Sequence, residues 1–351
     1  MANYLLSQLR LKAFYKSFLL SYKLGNIISP KFVIWDCTRR CNLNCLHCGA
    51  KKEKYPRELS TEQVKSLITD LSLMKVQTFS VTGGEPLLRD DIFEISSFAR
   101  SKGLNTGIAT NGFFINKPNS MKIAKIFDSV QISLDGPENI HNKIRGNKQA
   151  FGRVIKGIGL LKTNHCRQIT ISSVFTPVNI DYLEDLGKII EELKINIWKI
   201  LTVMPIGKVE NNKTMYLDKI QIAKLFKFIG KNKKKLNIEI GENLGFLGNW
   251  DKKVRQEPFF CPVGFLACCI GVDGKVRGCP EQPDLPYFRE GDILKDKIKT
   301  IWDKGFKKYR DRDFLNNVNC QKCSNKEKCL GGCWVMRMGD ISCSIERYGL
   351  F

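Results

Sequence analysis

From residue 31 to about 236 the chain alternates short β-branched, apolar runs with longer stretches whose apolar residues recur every three or four positions. The short runs KFVIWD (31–36), TFSVT (78–82), LNTGIAT (104–110), SVQISL (129–134), QITISSVF (168–175) and IWKILTV (197–203) predict strands. Residues 61–74, 91–102, 121–127, 151–162, 180–193 and 217–234 predict amphipathic helices. This alternation predicts parallel βαβ units in an α/β fold: a partial (β/α)6, TIM-like barrel, with its chemistry at the C-terminal ends of the strands.

The flanks follow other patterns. Residues 1–30 read as a basic amphipathic helix, with Leu5, Leu6, Leu9, Phe14, Phe18 and Leu19 among Arg10, Lys12, Lys16 and Lys23, ended by Gly25 and Pro30. It is expected to pack on the body or a partner, with a membrane surface as the alternative. Residues 231–241 read as a linker strand leaving the barrel. Beyond Gly241 come short apolar pieces, glycines and most of the cysteines, so the expected domains are 1–30, 31–240 and 241–351.

A chain of 351 residues, 43% hydrophobic, can bury one large core or one large and one small. Its net charge of +22 attracts anions: nucleic acid, an anionic membrane, an acidic peptide or a carboxylate-rich small molecule. Solvated lysine-rich helix faces are the plain alternative, and the absence of an aromatic-basic platform disfavours nucleic acid. No apolar run reaches transmembrane length. Charges interrupt the opening MANYLLSQLRLKAFYK before it can serve as a signal peptide, which makes the cytoplasm the expected location. In that reducing setting the 14 cysteines, clustered at short spacings, are better metal ligands than disulfides.

The densest of these spacings is CNLNCLHC, Cys41, Cys45 and Cys48 in C-x3-C-x2-C. Three thiolates occupy three corners of a four-iron cubane and leave one iron open, whereas such a cluster normally takes four. A zinc site or buried reduced thiols are the alternatives. The stretch resembles the cluster loop of radical S-adenosylmethionine (SAM) enzymes, in which SAM chelates the open iron. The family usually has an aromatic residue before the last cysteine; here His47 supplies the flat ring.

The resemblance extends to the strand ends. Thr82-Gly83-Gly84-Glu85-Pro86 matches the GGE motif that receives the SAM ammonium. Asn111, Ser133 and Asp135 stand where the family holds ribose hydroxyls and the methionyl carboxylate, although each could instead cap a following helix. Arg145 resembles the arginine aimed at that carboxylate.

In the C-terminal region, VDGK has the signature of a tight hairpin turn. Cys261, Cys268 and Cys279 flank it, followed by Cys320, Cys323, Cys329 and Cys333 in C-x2-C-x5-C-x3-C, and by Cys343. With Gly274 to Cys279 as G-x4-C, this resembles the SPASM extension of radical SAM enzymes, a zinc ribbon being the alternative. The resemblance implies one auxiliary cluster on Cys261, Cys268, Cys279 and Cys333 and another on Cys320, Cys323, Cys329 and Cys343, making three 4Fe-4S clusters in all. Cys37, Cys166 and Cys269 are left over; Cys269 is a spare thiol, an alternative ligand or a hydrogen-atom donor.

The implied activity is an oxidoreductase that cleaves SAM to a 5'-deoxyadenosyl radical and abstracts hydrogen. Its expected substrate is a ribosomal peptide or small protein, left cross-linked or oxidised. Oxidative decarboxylation of tetrapyrrole propionates is the second expectation, with peptide epimerisation or sulfatase maturation further alternatives. Sulfatase-maturing members have aspartate directly after the G-x4-C cysteine, where this chain has Pro280 and then Glu281. Expected partners are a flavodoxin- or ferredoxin-type electron donor and a separate leader-binding protein.

Overall fold

The computed structural model describes residues 2–49, 57–312, 318–337 and 343. Strands β1 (Phe32–Asp36), β2 (Thr78–Thr82), β3 (Asn105–Thr110), β4 (Ser129–Ser133), β5 (Ile169–Phe175), β6 (Ile197–Thr202) and β7 (Ile238–Ile240) run parallel in chain order. The helices are α1 (Ala2–Lys23), α2 (Thr61–Leu73), α3 (Ile92–Ser101), α4 (Lys117–Ile126), α5 (Glu138–Arg145), α6 (Ala150–Thr163), α7 (Leu183–Leu193) and α8 (Lys219–Asn232). Val64, Leu67, Ile68 and Leu71 of α2 are buried, as are Ile222, Leu225 and Ile229 of α8, because helical spacing places each set on one face.

Three local differences from the sequence pattern have physical causes. Helix α4 begins a turn before residue 121, because Asn116 and Asn119 form a reciprocal capping box and Pro118 is tolerated in a first turn. The 217–234 helix starts at Lys219, where Asp218 accepts the Gln221 N–H at 2.8 Å. The stretch read as a linker contains β7, which extends the parallel sheet beside β6.

The C-terminal region continues the same sheet on its other side. Strand β8 (Ala267–Ile270) pairs parallel with β1, then β9 (Lys275–Arg277) and β10 (Gly291–Asp292) follow antiparallel. Short helices α9 (Asp251–Val254), α10 (Ile298–Lys304), α11 (Lys307–Asp311), α12 (Val318–Gln321) and α13 (Lys326–Cys329) complete it. Helix α1 docks here: Phe18 is fully buried 4.7 Å from Phe265, and Phe14 meets Phe260 edge-on at 6.0 Å. Leu6, Leu9 and Leu20 stay exposed, so only part of the apolar pattern in α1 serves this contact. No described helix is long and apolar enough to cross a membrane.

Candidate active site

The loop after β1 carries Cys41, Cys45 and Cys48, and the turn after β2 lies directly against its start. Gly84 N–H donates to Thr38 O at 2.7 Å and Glu85 N–H to Arg40 O at 2.8 Å. A Cβ on Gly83 or Gly84 would strike the backbone of Thr38 or Arg40, and Gly83 has φ of +146°. These glycines therefore serve close backbone approach. Glu85 is fully buried and does not line the cavity described below. Its Oε1 accepts from Thr110 Oγ1 (2.7 Å) and Leu87 N–H (3.0 Å), and its Oε2 from Asn111 N–H (2.7 Å), tying the β2 exit to the β3 exit. Burial raises its carboxyl pKa against those three bonds.

Two further segments clamp the cysteine loop. Leu46 N–H donates to Ile144 O in α5 at 2.8 Å. From the β6 exit, Lys208 N–H donates to Cys48 O at 3.1 Å and its Nζ to Cys45 O at 3.0 Å and Asn44 Oδ1 at 2.5 Å. Sequence reasoning missed Gly207 and Lys208; the available signal was a Gly-Lys pair just past a predicted strand end. Gly207 sits at φ +60°, with the carbonyls of Cys48 and Gly49 where its Cβ would be. Gly207→Ala is expected to destabilise the protein by more than about 1 kcal/mol. Iron analysis should show the loss first on the Cys41–Cys48 loop.

These loops enclose a cavity of about 350 Å³ at the strand C-termini. Cys41, Cys45, Cys48 and His47 line it, as do Gly83, Gly84, Asn111, Ser133 and Arg145 from the other strand ends. Cys45 and Cys48 act electrostatically on Cys41, and Leu43 N–H donates to its sulfur. Asn111 Nδ2 donates to Asn42 Oδ1 at 2.8 Å and approaches Cys41 Sγ at 3.9 Å.

Asp135 lies behind this lining, wholly buried. Its Oδ2 pairs with Arg145 at 2.7 Å and with His47 Nε2 at 3.4 Å, and its Oδ1 accepts Val174 N–H at 3.0 Å. Burial alone would raise the Asp135 carboxyl, but Arg145 and His47 outweigh it and hold it far below the usual carboxylate range. Arg145 also approaches Cys45 Sγ at 3.7 Å, while its Nε is buried without a hydrogen-bond partner among the described residues. That unused donor, beside three thiols on one loop, fits a carboxylate-bearing ligand chelated to an iron-sulfur cluster.

His141, given no role by sequence, accepts Asp135 N–H on Nδ1 at 3.1 Å. Burial, reinforced by Arg145, lowers its pKa from 6.5 to about 4. The unfolded chain therefore binds more protons between these values, so stability present above pH 6.5 falls as the pH drops toward 4. Acidifying from pH 7.5 to 5.5 should cost about 1 kcal/mol through this group. Urea titrations of the protein and of His141→Phe should differ by that component.

The C-terminal region supplies the opposite wall, including Arg277, Pro280 and Glu281. Asp36 at the end of β1 pairs there with Arg39 (2.7 Å) and Arg277 (3.4 Å). Burial raises the Glu281 carboxyl, and Asp36 raises it further.

The remaining candidate cysteines divide by position. Cys261 and Cys333 both act electrostatically on Cys279, and Cys261 on Cys333. Cys268 is buried on β8, next to Cys269 and within electrostatic reach of Arg310. In the other set, Cys323 N–H donates to Cys320 O at 3.2 Å, Asn325 N–H to Cys323 Sγ at 3.4 Å, and Cys329 ends α13. Cys343 packs against the main core. Among the described residues no three His, Cys, Asp or Glu side chains could share one metal ion. A cubane distributes its thiolates over separate irons, so its ligands need not converge on one point.

Comparison with known proteins adds independent findings. The family model described as the radical SAM superfamily matches residues 35–193, and SPASM, described as an iron-sulfur cluster-binding domain, matches 261–324. Over 323 residues the chain is 34% identical to an AdoMet-dependent heme synthase of Oleidesulfovibrio alaskensis, covering 86% of this chain and 82% of that protein. Over 317 residues it is 28% identical to the mycofactocin maturase MftC of Mycolicibacterium smegmatis, covering 88% and 79%. Streptococcus suis SuiB bound to S-adenosylmethionine superposes with a TM-score of 0.73 at 17% identity, over 91% of this chain and 77% of that one, which shows a shared fold.

Proposed function

The chain belongs to the radical SAM superfamily and carries a SPASM iron-sulfur domain, and from that premise we propose that this enzyme abstracts hydrogen from a ribosomal peptide, leaving it cross-linked or oxidised. Bound to a reduced cluster, SAM supplies a 5'-deoxyadenosyl radical able to take hydrogen from an unactivated carbon. The observation carrying the reading is the single cavity that brings three loop thiols and Arg145, with its unused Nε, to face a wall of the SPASM region.

The chain's own residues divide the work. Cys41, Cys45 and Cys48 would hold the SAM-binding cluster. Arg145 would take the methionyl carboxylate, the Gly83–Gly84 backbone the ammonium, and Asn111 and Ser133 the ribose or carboxylate oxygens. His47 offers its ring to the adenine, while Glu85 and Asp135 act from behind the lining by fixing Asn111 and Arg145. Cys261, Cys268, Cys279 and Cys333 would serve one auxiliary cluster and Cys320, Cys323, Cys329 and Cys343 another, for three clusters in total. Residues 31–240 form the SAM-binding body in this reading and 241–351 the auxiliary-cluster region. A flavodoxin- or ferredoxin-type donor in the cytoplasm would supply the electron. A separate leader-binding protein, or the basic surface itself, would recruit the peptide.

A second reading, oxidative decarboxylation of tetrapyrrole propionates, is favoured by the heme synthase relatives. Arg39 and Arg277 in the cavity wall suit carboxylates, although Asp36 already engages both. The deciding assay incubates the enzyme with peptides encoded beside it and, separately, with carboxylated porphyrins, and weighs the products. A peptide lighter by two hydrogens supports the first reading. Loss of carbon dioxide from a porphyrin, with every peptide unchanged, replaces it with the second.

A further inference from the structure

Helix α1 is apolar on two sides, and its contact with the body uses one of them. At a turn of about 100° per residue, Phe14, Tyr15, Phe18 and Tyr22 share the side facing the body. Phe18 and Tyr15 lie 4.7 and 5.7 Å from Phe265, and the guanidiniums of Arg312 and Arg310 cover Tyr15 and Tyr22 at 5.4 and 5.7 Å. On the opposite side Leu6, Leu9, Ala13, Leu20 and Leu24 fall within an arc of about 60°. All five are exposed, the leucines by 48% to 69%. The stripe they form is about 27 Å long.

The borders of that stripe are basic. Lys12, Lys16 and Lys23 flank it on one side, Ser17 and Arg10 on the other, and all are exposed. The helix itself contains no aspartate or glutamate. Glu327 of α13 pairs with Lys12 at 2.8 Å, and Lys16 acts on it electrostatically, so one carboxylate offsets part of a border of four cations. These charges decide what can cover the leucines. A second copy of the helix would set the cations against their own kind. A folded protein partner needs a patch on the order of 800 Å² per side, several times what one row of leucines on a helical ridge offers. An anionic bilayer meets both conditions: leucines enter the acyl boundary while lysine and arginine stems reach back to the phosphates.

We propose that α1 seats the enzyme on an anionic phospholipid surface, lying in the interface with Leu6, Leu9, Leu20 and Leu24 inserted and Arg10, Lys16 and Lys23 at the headgroups. The contact is peripheral, since no described helix is long and apolar enough to cross a membrane. It goes beyond the reaction proposed above and holds whichever substrate the cavity takes.

The test is flotation of the full chain with vesicles of phosphatidylcholine alone and of phosphatidylcholine mixed with phosphatidylglycerol. The protein should float with the mixed vesicles, stay behind with the neutral ones, and detach as salt is raised. Leu6→Gln, Leu9→Gln, Leu20→Gln and Leu24→Gln together should remove the binding with circular dichroism unchanged. Arg10→Gln, Lys16→Gln and Lys23→Gln together should weaken it about a hundredfold. A net charge of +22 can adsorb to anions anywhere on the surface, so Lys219, Lys224, Lys227 and Lys231 of α8, all exposed, are changed to glutamine as a control and should reduce binding far less. Native protein that ignores the mixed vesicles overturns the proposal, and a change of oligomeric state in the leucine variant would then give the face to a second copy. A leucine variant that floats undiminished overturns it too, as does loss of binding in the α8 variant equal to that in the α1 charge variant. Should the leucine variant misfold, undiminished flotation of the α1 charge variant overturns the proposal by itself.

Discussion

Reconstituted anaerobically and given a strong reductant, the protein is expected to convert SAM slowly to 5'-deoxyadenosine without substrate, and the variant with Cys41, Cys45 and Cys48 all changed to alanine to make none. Cys41, Cys45 and Cys48 share the cavity with Arg145 and the Gly83–Gly84 turn, so their removal leaves a SAM pocket with no iron to reduce what it binds. Three cubanes would give about twelve irons per chain, of which the triple variant should lose about a third. Retention of the other two-thirds would show that the loss is local. Deoxyadenosine from the triple variant, measured by chromatography, would falsify the central assignment. A native content near four irons would instead remove the auxiliary clusters from the account.

Asp135→Asn is expected to have the largest effect on stability. The Arg145–Asp135 pair is buried on both sides, and Asp135 accepts from His47 and Val174 as well. Asparagine keeps an oxygen for Val174 but leaves the guanidinium without a counter-charge, a change that costs about 3–5 kcal/mol when one partner of a buried pair is removed. The wild-type pair should persist across ordinary pH. Its carboxyl is held well below the usual range, so the stability it adds fades only as the pH falls through that depressed value. Arg145→Met should destabilise comparably and weaken SAM binding as well. The double variant Asp135→Asn with Arg145→Met should recover part of the loss in denaturant titrations, since neither charge is then stranded. Strict additivity of the two single changes would show that the pair does not couple. If Asp135→Asn weakens SAM binding while Arg145 is intact, Asp135 positions the arginine; unchanged binding would confine it to structure.

Much of this protein was legible in its residues. All six strands expected between positions 31 and 203 fall within a residue or so of their observed bounds, because β-branched runs between amphipathic stretches carry their own periodicity. The cysteine spacings and the GGE turn likewise revealed the chemistry, since coordination of iron by thiolate depends on ligand type and short loops. Periodicity reports that one face of an element is buried; it does not say against what. For that reason the contacts of α1 with Phe260 and Phe265, and the addition of β7 and β8 to the two sides of the sheet, had no signature in the pattern.

The same limit applied within the site. Gly83 and Gly84 line the cavity, but Glu85 from the same motif turned inward to hold Asn111, and Lys208 arrived at Cys45 from another strand end. Cys268 and Cys269 are adjacent in sequence yet face opposite sides of β8. The sequence by itself determined which residue types and spacings were available for iron and SAM, because those are local and chemical. Tertiary structure alone decided which side chains share the cavity and which hold it from behind, because strand register and long-range hydrogen bonds fix a side chain's direction only once its partners are in place.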